Sequence, residues 1–207
     1  MAGQIIKSVL CAHPQGGDIF AAYVAAGNGG NDKHYVLMHR APNGGWTQIT
    51  QGDGGYEPIN ILRGPHDEIH LFAWPSANGT LQHIESTDLG RTFTTTTIPG
   101  SWDSSQGYTG SGADALGDMV VVQTDGYQPG HFFWAYYSHS TNQWQFHDSQ
   151  IDYRYTYGYY IPGTNGDLTI TGVRDVPSTV VGGSDPNSYV FDIIKYFHTT
   201  NNLSENR

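Results

Sequence analysis

The sequence predicts an all-β chain, and more specifically a β-propeller, from three observations. Glycine is abundant, with 27 residues among 207, while aromatic residues make up 13% and charged residues only 14%. This composition favours short strands joined by tight turns over amphipathic helices. A short turn motif also recurs at intervals near 50 residues, and strand-like runs surround its copies. We expect a single domain over residues 1–207.

The recurring motif is clearest in residues 86–93, "STDLGRTF". Related segments occupy residues 39–46 ("HRAPNGGW") and 138–144 ("SHSTNQW"), and a fourth begins at residue 198 ("HTTNN"). The first residues of successive copies are 47, 52 and 60 positions apart. Each copy follows a strand-like run, and the first three precede another, so the motif is predicted to be a hairpin turn.

A second hairpin is predicted upstream of every copy, in "SVLCAHPQGGDIFAAYVA", "INILRGPHDEIHLFAW", "ADALGDMVVVQT" and "YYIPGTNGDLTITGV". Four antiparallel strands per repeat are the pattern of a propeller blade, which gives approximate blades at 1–50, 51–100, 101–150 and 151–207. The fourth repeat stops at Arg207 before an outer strand is evident. We therefore expect about four blades of a larger propeller, cut or split after Arg207, with a compact four-bladed ring as the alternative.

The segment 86–93 resembles the Asp-box of sialidase-like (BNR-repeat) propellers, S-x-D-x-G-x-[ST]-[WF], which lies between the third and outer strands of a blade. The resemblance implies a structural role for Ser86, Asp88, Gly90 and Phe93. Asp88 is expected to accept hydrogen bonds from backbone N–H groups, and Gly90 to supply a positive φ. Phe93 is expected to pack under the next blade. Asp-boxes lie on the rim, away from the catalytic face.

Residues 153–175, "YRYTYGYYIPGTNGDLTITGVRD", resemble a segment of BNR-type seven-bladed propellers that act on acidic polysaccharides. That group includes ulvan lyases and rhamnose-glucuronate lyases and hydrolases. The resemblance implies that Tyr157 transfers a proton and that Arg174 neutralises the uronate carboxylate. Gly158 replaces the proline of the family pattern, and the histidine pair of the lyases is absent, with His131 as a candidate for one member.

These residue types suit the chemistry, because removal of a proton α to a carboxylate needs a base of high pKa and a cation that stabilises the enolate-like intermediate. A structural alternative also accounts for them. In that alternative, Arg174 pairs with Asp175 or Asp167, and Tyr157 is one of several core tyrosines.

The loops at 51–58, 99–112 and 149–160 are rich in aromatic, acidic, serine and glycine residues, which stack on sugar faces and hydrogen-bond hydroxyl groups. A polysaccharide or oligosaccharide is therefore the expected partner. The substrate-binding candidates in and beside these loops are Tyr56, Glu57, Trp74, Trp102, Tyr108, Arg154, Tyr155 and Tyr159.

Three functions fit this sequence, led by a polysaccharide lyase that cleaves uronate-containing glycans by β-elimination. The alternative is a carbohydrate-binding, lectin-like propeller without catalysis. A sialidase-like glycoside hydrolase is the third choice, because "ILRGP" around Arg63 matches the arginine element of sialidases only in part.

The charge and composition of the chain disfavour several other classes of partner and site. A formal net charge of −10 disfavours nucleic acids and anionic membranes. Cys11 is the only cysteine, so an internal disulfide is excluded. No metal or other cofactor is expected, because the histidines of "HDEIH" lie too far apart on extended backbone to share an ion.

More than one cellular location fits the sequence. "MAGQIIKSVL" shows no secretion leader, which leaves an extracellular or periplasmic protein whose signal lies outside this sequence, or a cytoplasmic protein. A second chain, or the rest of a longer precursor, is the expected partner that would complete the propeller.

Overall fold

A computed structural model describes residues 4–12, 17–26, 33–53, 57–74, 80–102, 109–114, 116–124, 130–153, 156–157, 168–176, 188–197 and 202–206. Within these ranges the chain forms sixteen β-strands, and none of the described residues belongs to a helix that could cross a membrane. The strands make four separate sheets of four strands each. Every sheet is a meander in which each strand pairs antiparallel with the next.

The first two sheets lie in one compact unit, residues 1–104. The first sheet contains β1 (Gln4–Ala12), β2 (Ile19–Ala26), β3 (Lys33–Arg40) and β4 (Trp46–Asp53). The second sheet contains β5 (Glu57–Arg63), β6 (Ile69–Trp74), β7 (Gln82–Ser86) and β8 (Thr94–Thr97).

The other two sheets lie in a second compact unit, residues 105–207. The third sheet contains β9 (Thr109–Ala113), β10 (Met119–Thr124), β11 (Gly130–Ser138) and β12 (Gln143–Tyr153). The fourth contains β13 (Thr156–Tyr157), β14 (Leu168–Val176), β15 (Ser188–Phe197) and β16 (Asn202–Asn206).

The last strand, β16, corrects the expectation that the fourth repeat stops before its outer strand. Asn202–Asn206 pairs with β15 along five positions, from Phe197↔Asn202 to Ile193↔Asn206. The segment "NLSEN" carries no alternating apolar pattern, so its sequence does not predict a strand. Its strand conformation is fixed by the backbone donors and acceptors of β15, which need partners whatever side chains the neighbouring strand carries.

Each meander has two distinct ends. At one end, here called the leading end, the first strand begins and the second strand finishes. At the opposite end, here called the turn end, lie the turn between the first and second strands and the turn between the third and fourth. In the second sheet, Glu57 pairs with Trp74 at the leading end, and Arg63 pairs with Ile69 at the turn end.

The core of the first unit lies between its two sheets. Phe20, Ala22 and Leu37 of the first sheet are fully buried against residues of the second. The partners from the second sheet are Ile61, Ile69, Leu71, Ala73 and Ile84, all at most 3% exposed. Burial of these side chains from both sheets provides the hydrophobic stabilisation that holds the sheets face to face.

The Asp-box turn of the second sheet has the predicted hydrogen bonds. Asp88 Oδ1 accepts from the N–H groups of Arg91 (3.0 Å) and Thr92 (2.9 Å), and its Oδ2 accepts from the Thr92 hydroxyl (2.7 Å). These bonds from Thr92 are the main reason that the pKa of Asp88 falls from 3.8 to about 2. Ser86 Oγ accepts from the N–H of Gly90 at 2.7 Å and donates to Asp88 Oδ1.

Gly90 has the predicted positive φ, +85°, and a second reason to be glycine. A Cβ at this position would lie 2.9 Å from both Cδ1 and Cγ2 of Ile49, on the outer strand of the first sheet. Phe93 packs against the core that the first two sheets share. It therefore faces the preceding sheet, and the prediction that it packs under the next blade was wrong.

The degenerate copies of the motif keep the same backbone feature. Asn43 (φ +61°) in the first sheet and Asn142 (φ +55°) in the third occupy the position that Gly90 has in the second. Asparagine enters the left-handed region more readily than most residues, which explains why it substitutes for glycine here. The aligned motifs therefore mark equivalent turns in three sheets.

Candidate functional site

The two residues expected to carry catalysis lie on neighbouring strands of the fourth sheet. Tyr157 is in β13 and pairs with Thr171 of β14, while Arg174 is further along β14 and pairs with Val190 of β15. Arg174 is close to the leading end of this sheet. The backbone thus has the expected arrangement of a tyrosine on one strand and an arginine on the next.

The register between these two positions adds a constraint. Arg174 lies three residues from Thr171, the partner of Tyr157, and the pairing of β14 runs without a bulge from Leu168 to Val176. Cross-strand partners share a face, and successive residues alternate between faces. An odd separation therefore assigns positions 157 and 174 to opposite faces of the sheet.

Three other predicted residues are also at leading ends. Glu57 is the first residue of β5 and Trp74 the last of β6, and the two are paired. His131 is the second residue of β11 and pairs with Asp152. In the second sheet, Glu57 and Trp74 lie at the end opposite the Asp-box turn.

The two tryptophans among the candidates are largely covered. Trp74 is 6% exposed and Trp102 is 9% exposed, and the Trp102 Nε1–H donates to the Pro99 carbonyl at 2.8 Å. A sugar can stack on such a ring only where a face is open to solvent. The remaining candidates, Tyr56, Tyr108, Arg154, Tyr155 and Tyr159, lie outside the described residues.

A buried histidine pair in the second sheet was not predicted. His70 on β6 and His83 on β7 are each 3% exposed, and His70 Nδ1 lies 3.0 Å from His83 Nε2. Burial, and then the neighbouring His70, lower the pKa of His83 from 6.5 to about 3. His83 is therefore neutral at physiological pH, and Glu85 Oε1 is 3.8 Å from Nδ1 of its partner His70.

The histidines of "HDEIH" have different environments. His66 lies exposed in the turn, where its backbone N–H donates to Glu68 Oε2 at 2.8 Å, whereas His70 is buried in the sheet. The carboxylate of Glu68 and the ring of His70 approach Gly64 so closely that a Cβ there would overlap both. In the described part of the chain, no three His, Cys, Asp or Glu side chains are grouped so as to hold a metal ion.

Arg63, the residue considered for a sialidase-type arginine, is at the turn end of the second sheet. Its Nη2 donates to Asp67 Oδ1 at 2.6 Å, and its guanidinium lies 5.8 Å from the centre of the Phe20 ring. Its Nε and Nη1 are buried without a hydrogen-bond partner among the described residues. Arg63 is thus at the end of the sheet opposite Glu57 and Trp74.

Comparison with known proteins gives a structural likeness only. No protein-family model and no curated protein matches the chain. A mutant of NanB sialidase from Streptococcus pneumoniae superposes with a TM-score of 0.52 at 12% identity over 82% of this chain. NanB with Optactamide gives a TM-score of 0.51 at 10% identity, also over 82%.

The chain has a sialidase-like β-propeller fold, and its four-stranded antiparallel sheets are the blades. At 10–12% identity the likeness shows the fold and nothing of the reaction. The chain spans 28% and 27% of the length of these two sialidase chains.

Proposed function

We propose that this chain is a carbohydrate-active propeller whose reaction is β-elimination at a uronate residue of a polysaccharide. The observation that carries the proposal is the placement of Tyr157 and Arg174 on adjacent strands of the fourth sheet, with Arg174 near its leading end. A carbohydrate substrate is also compatible with the fold, since NanB, which shares it, is a sialidase.

In the proposed reaction, the phenolate oxygen of Tyr157 removes the proton α to the uronate carboxylate. The electron pair of that C–H bond forms the new C=C bond while the bond from the β-carbon to the glycosidic oxygen breaks. The leaving oxygen then receives a proton, which the Tyr157 phenol supplies. Arg174 stabilises the extra negative charge on the carboxylate in the transition state.

A second candidate, glycan binding without catalysis, is favoured by the register of the fourth sheet. Positions 157 and 174 belong to opposite faces, so one sugar ring can contact both groups only at the leading end of the sheet, and the elimination requires that position of the substrate. A binding site tolerates such spacing, because separate residues can contact separate sugars. A sialidase-type hydrolase is less well supported, since Arg63 lies at the turn end.

The test is incubation with ulvan and other uronate polymers while the absorbance of the unsaturated product is followed. We expect product formation, and a loss of about 100-fold or more in rate for Tyr157→Phe. Tyr196→Phe is the matched control, because Tyr196 lies in the same sheet at its turn end, where it pairs with Leu168. This control should keep the wild-type rate.

Calorimetric titration with uronate oligosaccharides separates the two candidates. Saturable binding without product would replace the lyase by the binding propeller. If the chain neither binds nor cleaves these glycans, both candidates are wrong.

A further inference from the structure

Arg63 is a buried cation that is only partly paired. It is the last residue of β5, at the turn end of the second sheet, and its side chain is 8% exposed. Nη2 of its guanidinium donates to Asp67 Oδ1 at 2.6 Å. Nε and Nη1 are buried and have no acceptor in the described part of the chain. The N–H groups of a charged side chain are thus removed from water without replacement, which is costly unless another group accepts them.

The surroundings of the guanidinium on the side of the first sheet are uncharged. It lies 5.8 Å from the centre of the Phe20 ring, which is fully buried. The Cys11 thiol also lies within the electrostatic influence of Arg63. Burial raises the pKa of Cys11 from 9.0 to about 11, although the charge of Arg63 acts in the opposite direction. Cys11 is therefore a neutral thiol at physiological pH and does not act as a counter-ion.

Two acids at the turn ends of these sheets have other partners. Glu68 directly precedes Ile69, the partner of Arg63, so Glu68 and Arg63 belong to opposite faces of the sheet. The Glu68 carboxylate accepts a backbone N–H group within its own turn at 2.8 Å. In the first sheet, Asp18 Oδ1 lies 2.8 Å from His39 Nε2. Neither carboxylate is a hydrogen-bond acceptor for Nε or Nη1 of Arg63.

The guanidinium lies beneath an exposed turn. Pro65, His66 and Asp67 are all exposed, and the side chain of Asp67 is 55% exposed. Water screens the attraction between a buried cation and so exposed a carboxylate, and such pairs contribute little to stability. A solute anion that reaches the turn can therefore compete with Asp67 at small cost.

We propose that the turn end of the second sheet binds a small oxyanion, either a carboxylate or a phosphate, through the Arg63 guanidinium. The oxygens of this anion accept hydrogen bonds from the nitrogens that Asp67 leaves unpaired. A planar guanidinium matches the oxygens of carboxylates and phosphates, and these charge-assisted hydrogen bonds are stronger than neutral ones. A water molecule accepts such hydrogen bonds without compensating the charge, so an anion is the better partner.

The net charge of the chain does not prevent this binding. A net charge of −10 repels anions at long range. At physiological ionic strength, salt screens charges that are separated by more than about 8 Å, whereas the Arg63 donors act at contact. The local donors therefore decide whether an anion binds.

This inference does not depend on the proposed function, and NMR titration of the whole chain tests it. Sodium phosphate and sodium acetate are added separately, with sodium chloride at equal ionic strength as the reference. We expect the Arg63 Nε–H resonance to shift and saturate with a dissociation constant of about 1 mM, in the range of a few charge-assisted hydrogen bonds. Saturation by phosphate alone assigns a phosphate, and saturation by acetate alone assigns a carboxylate.

The Nε–H resonance of Arg40 is the internal control. Arg40 is exposed at the turn end of the first sheet, and its Nε already donates to the Gly44 carbonyl at 3.1 Å. Its resonance should move no further in phosphate or acetate than in chloride.

Two variants should change the affinity in opposite directions. Asp67→Asn removes the competing carboxylate, so we expect the anion to bind about two- to fivefold more tightly. Arg63→Met should weaken binding at least about tenfold, measured at the backbone N–H resonance of Gly64, whereas the matched control Arg40→Met should bind as the wild type does. The Asp67→Asn measurement remains decisive if Arg63→Met does not fold.

Three results would overturn the proposal. The first is an Arg63 Nε–H resonance that stays unchanged up to about 50 mM of both oxyanions, far above the expected dissociation constant. The second is an equal response to chloride, which would show screening by salt in place of an oxyanion site. The third is weaker binding by Asp67→Asn, because the anion and Asp67 would then not compete for Arg63.

Discussion

The turns that join the third and fourth strands of the first and second sheets share a backbone but differ in their side chains. Gly90 and Asn43 both have positive φ, yet only the second sheet has a carboxylate, Asp88, that accepts backbone hydrogen bonds within the turn. The first sheet has Ala41 there, and its turn closes through the Gly44 N–H to the Ala41 carbonyl. The left-handed residue is therefore the common requirement, and the carboxylate is an addition.

The first and third sheets obtain an acidic partner from a different turn. Asp18 Oδ1 lies 2.8 Å from His39 Nε2, and Asp118 Oδ1 accepts from the backbone N–H of His139 at 2.7 Å. Asp118 also accepts from the Tyr136 hydroxyl. Each acid lies directly before the second strand of its sheet, and so connects the two turns at the turn end. In all three sheets, an acidic side chain thus hydrogen-bonds at or beside the turn between the third and fourth strands. In the second sheet this acid belongs to that turn, whereas in the first and third sheets it comes from the turn between the first and second strands.

The largest difference in stability between the two turns is expected when the residue with positive φ is replaced by alanine. Gly90→Ala introduces a Cβ that overlaps Ile49 at a φ of +85°, so we expect the free energy of unfolding to fall by about 2–4 kcal/mol. Asn43→Ala, in the exposed turn of the first sheet, should cost about 1 kcal/mol. Urea denaturation of both variants measures the difference. Equal losses would show that packing against Ile49 is unimportant.

The free energy of unfolding should also depend on pH, because His83 is buried in the second sheet. The pKa of His83 is about 3 in the folded chain and 6.5 when unfolded, so the unfolded chain binds the proton first. Stability is therefore retained above pH 6.5 and falls as the pH decreases towards 3, by at most about 1.4 kcal/mol per pH unit.

Denaturation of His83→Gln from pH 7 to 4 measures this contribution, and we expect a shallower decline than in the wild type. His39→Gln is the matched control, because His39 is a partly exposed histidine on the third strand of the first sheet. If His83→Gln leaves the pH dependence unchanged, the buried His83 is not its source.

The smallest effect is expected for the carboxylate of the Asp-box. The pKa of Asp88 is lowered to about 2, so its hydrogen bonds stabilise the folded chain above pH 3.8, and that stabilisation is lost as the pH falls through 2. Asp88→Asn should be less stable than the wild type at pH 7, and the two should converge near pH 2. A gap that persists at pH 2 would contradict the assignment.

A substitution that is expected to stabilise the turn of the first sheet extends the same comparison. Ala41→Asp places a carboxylate at the matching position of the first sheet, where Gly44 N–H is within the same turn. We expect a small increase in stability that has the same loss at low pH.

Parts of the fold could be predicted because they depend on local requirements. Strand-like runs separated by turn residues were sufficient to count four repeats, and the turn glycine and asparagines marked the left-handed positions. The acids before the second strands, Asp18, Glu68 and Asp118, were also visible as a repeated feature of "GGDIF", "HDEIH" and "LGDMV". Alignment of the second strands would have found them.

Candidate site residues were harder to predict than strands. The resemblance of residues 153–175 to acidic-polysaccharide propellers implied adjacent strands for Tyr157 and Arg174. Their assignment to opposite faces depends on the pairing register, which a difference of one residue reverses. Trp74 and Trp102 have the composition of a sugar site, yet both are largely buried. Composition reports which side chains are available, and burial decides which surfaces remain open.

The sequence by itself determined the repeat, the strand-rich composition, the turns with positive φ and the hydrogen-bonding role of Asp88. Each depends on residues within about ten positions of one another, whose conformations follow from steric limits and nearby donors. The tertiary structure alone decided that Phe93 faces the preceding sheet, that β16 completes the fourth sheet, and that His70 and His83 are buried together. These features depend on which distant segments pack against one another, and short-range patterns do not record that choice.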